Sequence, residues 1–163
     1  VFAGVRSRYD VDDSVEDLVT ANHRDYPATF VFPSDSRNAL RRLRSAGWKV
    51  AGVTNAPQLQ ERKLEVTGLT AEIDAVCVSA LADSWKPDPG ILEEAARRCG
   101  VGLNGWMVGD SGPADIRGGH GVGLRTIWSH RGRTWDLSGQ EPDAQVGDVP
   151  AAVRVILGDD APC

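Results

Sequence analysis

The chain has 163 residues, 41% of them hydrophobic and 25% charged, with a formal net charge of −5. That is enough apolar material for one globular core, while the acidic balance (sequence pI ≈ 5.1) leaves no broad basic face for nucleic acid. No apolar run is long enough to cross a bilayer, no charged-then-apolar leader opens the chain, and the three cysteines form no cluster that would hold zinc.

Residues 1–33 place Val5, Tyr9, Val11, Val15, Leu18 and Val19 at roughly helical spacing, which predicts one or two helices and a linker leading to Pro33. Ser34 is expected to cap a helix that buries Ala39, Leu40, Leu43 and Ala46 and stops at Gly47. Residues 48–54 (WKVAGVT) then form a short, almost continuous apolar run, as in a strand buried on both faces of a parallel sheet. The same unit recurs. A helix is expected over 58–67 and a strand over 73–79. Another helix is capped by Asp88, opened by Pro89 and closed by Gly100, with Ile91, Leu92, Ala95, Ala96 and Cys99 on one face. Strands over 106–109 and 124–128 and a helix over 149–157 complete the pattern. Repeated βα units with short connections predict a doubly wound, Rossmann-like parallel sheet with right-handed crossovers. After the helices and linker of residues 1–33, residues 34–158 are expected to form the core and 159–163 a tail. Cys77 and Cys99 are read as buried free thiols of a cytoplasmic protein.

Ligands of open parallel sheets bind beyond the carboxyl ends of the strands. The strand over 48–54 ends in Thr54-Asn55, Lys86 lies between the strand over 73–79 and the next helix, and the strand over 106–109 ends in Asp110, with Asp115 in the following turn. Each residue has an ordinary reading: a strand-end hydroxyl, a solvated lysine, a helix cap, a first-turn charge. Together on one sheet edge they suit phosphate and a hard cation. Two carboxylates can share Mg²⁺ directly or through water. The Thr54 hydroxyl and the Asn55 backbone N–H can donate to phosphoryl oxygens, and Lys86 adds a compact positive charge. His120, His130, Trp106, Trp128 and Trp135 are assigned to local hydrogen bonding or packing.

VTNA at 53–56, KPDPGIL at 86–92 and VGDSGPAD at 108–115 resemble, in order and spacing, the second, third and fourth motifs of the haloacid dehalogenase superfamily. The resemblance implies phosphoryl transfer through an aspartyl-phosphate. Thr54 would bind the phosphoryl group, Lys86 would orient it and the nucleophile, and Asp110 and Asp115 would serve Mg²⁺. The acidic pair favours a phosphatase of small phosphorylated metabolites over the Mg²⁺-independent dehalogenases of the superfamily. Two other readings are a non-catalytic protein of this fold that binds phosphate or a partner, and a receiver-like phosphoacceptor domain. The order Thr54, Lys86, Asp110, Asp115 does not suit a receiver.

The superfamily's nucleophile is the first Asp of a DxDx(T/V/S) motif ending the central strand, and the second Asp is the acid/base. Asp10-Val11-Asp12-Asp13-Ser14 matches formally. The residues before Asp10 include Arg6 and Arg8, however, and burying these unpaired in a central strand would cost several kcal/mol each. Because superfamily members with a helical cap carry such a segment between the first and second motifs, residues 1–33 are read instead as part of a helical cap. Asp12, Asp13 and Glu16 there form a solvated or helix-starting charge run. The alternative keeps Asp10 as nucleophile and Asp12 as acid/base. On the cap reading the true motif is expected upstream of Val1, which is not a Met, and the central sheet position is expected to be open or otherwise covered. An open edge predicts homo-oligomers.

Overall fold

A computed structural model describes residues 12–25, 30–55, 64–82, 84–139 and 141–159. Helix α1 (Val15–Asp25) leads to α2 (Ser34–Ser45) and strand β1 (Ala51–Thr54). A 3₁₀ turn (Leu69–Glu72), β2 (Ala75–Val78), the helical turn α3 (Ser79–Ala82) and α4 (Gly90–Cys99) follow. Then come β3 (Trp106–Gly109), a π-turn (Gly112–Ile116), α5 (Arg117–Gly121), β4 (Arg125–Ser129), β5 (Ala144–Val146) and α6 (Val149–Leu157). All strand pairs are parallel, so the α/β class follows as expected.

The strands form two groups, β1-β2 and β3-β4-β5. Among the described residues no ladder joins β1 to β3. Helix α4 spans the break. Its Ile91, Leu92 and Ala95 share one buried cluster with Cys77 of β2, Met107 of β3 and Leu124, and Ala51 and Val53 of β1 pack against it. A cavity of about 120 Å³ remains there, bordered by Ala51 and Val53 on one side, Trp106 and Met107 on the other and Leu92 and Ala95 of α4. On β3, Met107 joins this cluster, whereas Trp106 packs on a second one built from Ile127, Val146 and Ala152 with α6 residues Val155 and Ile156. Successive side chains of a strand point to opposite faces, so helices cover both faces and the sheet is doubly wound.

Several helix ends differ from expectation. Pro33 occupies the N-cap position of α2, so Ser34 is the first helical residue and makes no capping bond. Pro89 takes the cap position of α4, and the free Ile91 amide donates to Ser84 Oγ (3.1 Å) instead of being served by Asp88. At the other end Gly100 adopts φ +67°, a left-handed conformation that closes the helix with Val101 N donating to Ala96 O (3.1 Å). Of the helix expected over 58–67, residues 64–66 are helical and residues 56–63 lie outside the described residues. Strand β5, the π-turn and α5 were not anticipated. Cys77 is buried and Cys99 half-buried.

One buried carboxylate ties α2 to the 3₁₀ turn. Glu72 accepts from Arg41 (2.7 and 2.9 Å) and Arg37 (2.9 Å). The Arg41 hydrogen bonds first, then Arg37, hold its carboxyl below the usual carboxylate range.

Candidate active site

Lys86 is the hub of the strand ends. Its Nζ donates to Val53 O (2.9 Å), one residue before the end of β1, and to Asp115 Oδ1 (2.6 Å), in the turn after β3. The two side chains are only 8% and 7% exposed, so the pair is a desolvated, charge-assisted hydrogen bond, and each charge depends on the other.

Local structure explains how Lys86 arrives there. The Asn55 carboxamide acts like a short strand toward the Lys86 backbone: its Nδ2 donates to Lys86 O (2.7 Å) and its Oδ1 accepts from Lys86 N (2.8 Å). The loop is thereby fastened to the end of β1. Asp115 is fastened from both sides, because its Oδ2 accepts from Ser111 N (2.9 Å) while Oδ1 holds Lys86. Ser111 Oγ in turn accepts from Ala114 N (3.2 Å) and caps the π-turn. Gly109 is required here, since a Cβ at that position would collide with the Asp115 carboxylate.

Thr54, half-buried, closes β1 next to the carbonyl that holds Lys86, and its hydroxyl has no hydrogen-bond partner among the described residues. Asp110 is different in character. Its side chain is 46% exposed, and its Oδ2 lies 3.7 Å from Arg131 Nε and 3.6 Å from Arg133 Nη2, too far for a hydrogen bond. It borders a cleft of about 400 Å³ lined also by Ser111, Pro113, Trp128, Arg133 and Trp135.

The structure thus gathers Asn55, Lys86 and Asp115 into one bonded unit, with Thr54 beside it and Asp110 at the adjoining cleft. Asp10 lies outside the described residues. Asp12 is exposed, ahead of α1, whose first turn is capped by Ser14 Oγ accepting from Asp17 N (3.0 Å). Among the described residues no three His, Cys, Asp or Glu side chains gather to hold a metal. Mg²⁺, however, is commonly bound by one or two carboxylates together with waters and substrate phosphate. Asp110 fits that demand, with oxygens free of short hydrogen bonds, whereas both oxygens of Asp115 are engaged.

Sequence reasoning missed the Asn55 side chain and the group around Asp110. Parallel pairing sets Trp128 alongside Gly109, so the loop leaving β4 emerges next to the Asp110 turn. The Arg-rich run after Ser129 was the available signal, but only the β3-β4 register gives it a place. His120, assigned to local hydrogen bonding, bonds Thr126 Oγ1 (2.9 Å) and Asp143 Oδ2 (3.2 Å) near the start of β4.

Residues 9–123 match the model of the haloacid dehalogenase-like hydrolase family. The bovine (Bos taurus) haloacid dehalogenase-like hydrolase domain-containing protein 3 is 34% identical over 128 residues, covering 77% of this chain and 49% of that protein. A glyceraldehyde 3-phosphate phosphatase of Methanopyrus kandleri is 34% identical over 113 residues, covering 68% and 47%. Among solved structures, a HAD phosphatase from Thermococcus onnurineus superposes with a TM-score of 0.74 at 30% identity, covering 94% of this chain and 68% of that one. The chain spans about half the length of the two sequence relatives. With three motifs in order on the ends of parallel strands and a family match over most of its length, the chain belongs to the haloacid dehalogenase-like hydrolases.

Proposed function

We propose that this protein is a cytoplasmic, Mg²⁺-dependent phosphatase of small phosphorylated metabolites, with residues 34–158 as its core, residues 1–33 as part of a helical cap and 159–163 as a tail. The observation that carries the reading is the buried Lys86 ammonium, held between the end of β1 and Asp115 beside the Thr54 hydroxyl, which has no partner among the described residues. A desolvated cation next to a hydroxyl donor at a sheet edge is suited to a phosphoryl dianion. The phosphatase names of the Methanopyrus and Thermococcus relatives point the same way.

In this reading Thr54 Oγ and the Asn55 backbone N–H donate to phosphoryl oxygens. Lys86 neutralises charge that builds up on them, and Asp115 holds Lys86 in place. Asp110 would hold Mg²⁺ directly and Asp115 would meet it through water. The metal supplies Lewis-acid stabilisation of the transferring group. The nucleophilic carboxylate would come on a parallel strand between β1 and β3, whose facing edges share no ladder. Its oxygen attacks phosphorus, the bond to the leaving oxygen breaks, and a second carboxylic acid protonates the departing alcohol. Water, giving a proton back to that second carboxylate, then attacks the phosphorus of the acyl phosphate. The bond from phosphorus to the nucleophile's oxygen breaks, inorganic phosphate is released and both groups are restored.

The test uses a chain extended upstream, assayed with Mg²⁺ and a panel of phosphate esters including a generic aryl phosphate. Turnover is expected, with Lys86→Ala and Asp110→Ala each lowering it by at least about a hundredfold and Asp10→Asn leaving it intact. Mg²⁺ should raise the thermal midpoint of the wild type but not of Asp110→Ala. No turnover across the panel, or equal Mg²⁺ stabilisation of both proteins, ends the reading.

A further inference from the structure

Asp110 is gripped by its backbone. Its carbonyl oxygen accepts from Trp128 Nε1 (3.2 Å) and from Arg133 Nη2 (2.7 Å). The two donors reinforce each other: the Arg133 guanidinium lies 5.7 Å from the Trp128 ring centroid, a cation–π distance. Trp128 is only 4% exposed and takes an edge-on contact from Trp135, with ring centroids 5.0 Å apart at 74°. Trp135 and Leu137 press on Gly112, where a Cβ would collide with Leu137. The segment after β4 is therefore packed over the turn that carries Asp110 and Asp115.

Arg131 stands apart. Among the described residues it reaches only the Asp110 carboxylate, at 3.7 Å, and is 71% exposed. An exposed pair at that distance is weak and readily exchanged. Arg133 Nη2 lies 3.6 Å from the same carboxylate oxygen, but its short hydrogen bond goes to the carbonyl (2.7 Å). We infer that Trp128 and Arg133 are positioning residues that clamp the Asp110 backbone, and that Arg131 is a displaceable counter-charge which an arriving divalent cation replaces. The metal part of this inference rests on the reading of Asp110 as a cation ligand. The clamp does not.

Two measurements on the 163-residue chain separate these parts. The first is amide hydrogen exchange without metal. Arg133→Ala, and Trp128→Phe where it folds, should speed exchange of the Ser111 and Asp115 amides by about tenfold, and Arg131→Ala should leave them unchanged. Arg133→Lys, which keeps one donor, should fall between. Unchanged exchange in a folded Arg133→Ala overturns the clamp. The second is calorimetric titration with Mg²⁺ alone at fixed ionic strength. Arg131→Ala should tighten binding a few-fold, whereas Arg133→Ala, which removes a charge 3.6 Å from the carboxylate together with the backbone clamp, should tighten it less or weaken it. Unchanged or weaker binding in Arg131→Ala overturns the counter-charge role. Mg²⁺ binding that survives Asp110→Ala overturns the metal assignment and with it the counter-charge, leaving the clamp to the exchange experiment.

Discussion

Lys86 and Asp115 form one buried bond on which both the stability of the strand ends and the proposed chemistry rest. Both side chains are more than nine-tenths buried and meet at 2.6 Å. Removing one leaves the other as an uncompensated interior charge, a change that typically costs about 3–5 kcal/mol. Lys86→Ala should therefore lower the urea midpoint strongly, and the Lys86→Ala/Asp115→Ala double variant should lose much less than the sum of the two single changes. The same Lys86→Ala protein should bind vanadate or phosphate more weakly by roughly 1.5–3 kcal/mol. A small stability loss with additive single changes, or unaltered anion affinity, would show that the ammonium is no hub. Lys86 and Asp115 could be picked out by their motifs. The Asn55 side chain could not, because a carboxamide pairing with a backbone thirty-one positions away leaves no local spacing to read.

The elements carry their own constraints, most plainly at two glycines. Gly109 ends β3 with the Asp115 carboxylate where a side chain would be, while Gly121 closes α5 with nothing within 4 Å of its would-be Cβ. Gly109→Ala should overpack the turn and destabilise by about 1–3 kcal/mol. Gly121→Ala should stabilise by about 0.4–1 kcal/mol through the reduced entropy of the unfolded chain. Thermal midpoints moving in opposite directions would bear this out, and a tolerated alanine at Gly109 would mean that Asp115 can adopt another position without loss. Helix existence was easier to read than helix ends. The apolar stripe of Ile91, Leu92 and Ala95 predicts α4 whatever starts it. Which group serves the free amides, Ser84 Oγ in place of Asp88, depends on a loop conformation that periodicity does not encode.

For the molecule as a whole, the break between β1 and β3 is the dominant feature. Strand edges carry unpaired N–H and C=O groups that pair readily with another chain, and here they flank a cavity of about 120 Å³ lined by Ala51, Val53 and Met107 together with Lys49 and Asn104. We expect the 163-residue chain to self-associate, with sedimentation velocity showing a mass that rises with concentration. A chain extended upstream to include the proposed central strand should behave as a smaller, better-defined species. Equal masses for the two, independent of concentration, would mean that these edges are already covered in solution. The buried cluster shared by β2, β3 and α4 holds the two strand groups together, which is why the fold class is legible even where the ladder is interrupted.

The sequence by itself determined the order of βα units, the family, and the strand ends at which Thr54, Lys86, Asp110 and Asp115 stand. These follow from short-range periodicity and from motifs that are each short and contiguous in the chain. Only the tertiary structure decided how those residues divide the work. Burial makes Asp115 the partner of Lys86 and leaves Asp110 open to the cleft. Parallel register brings Trp128 and Arg133 onto the Asp110 carbonyl. The reason is physical: whether a carboxylate is engaged or free is set by which donors other strands and loops bring within hydrogen-bond reach, and those donors are distant in the chain.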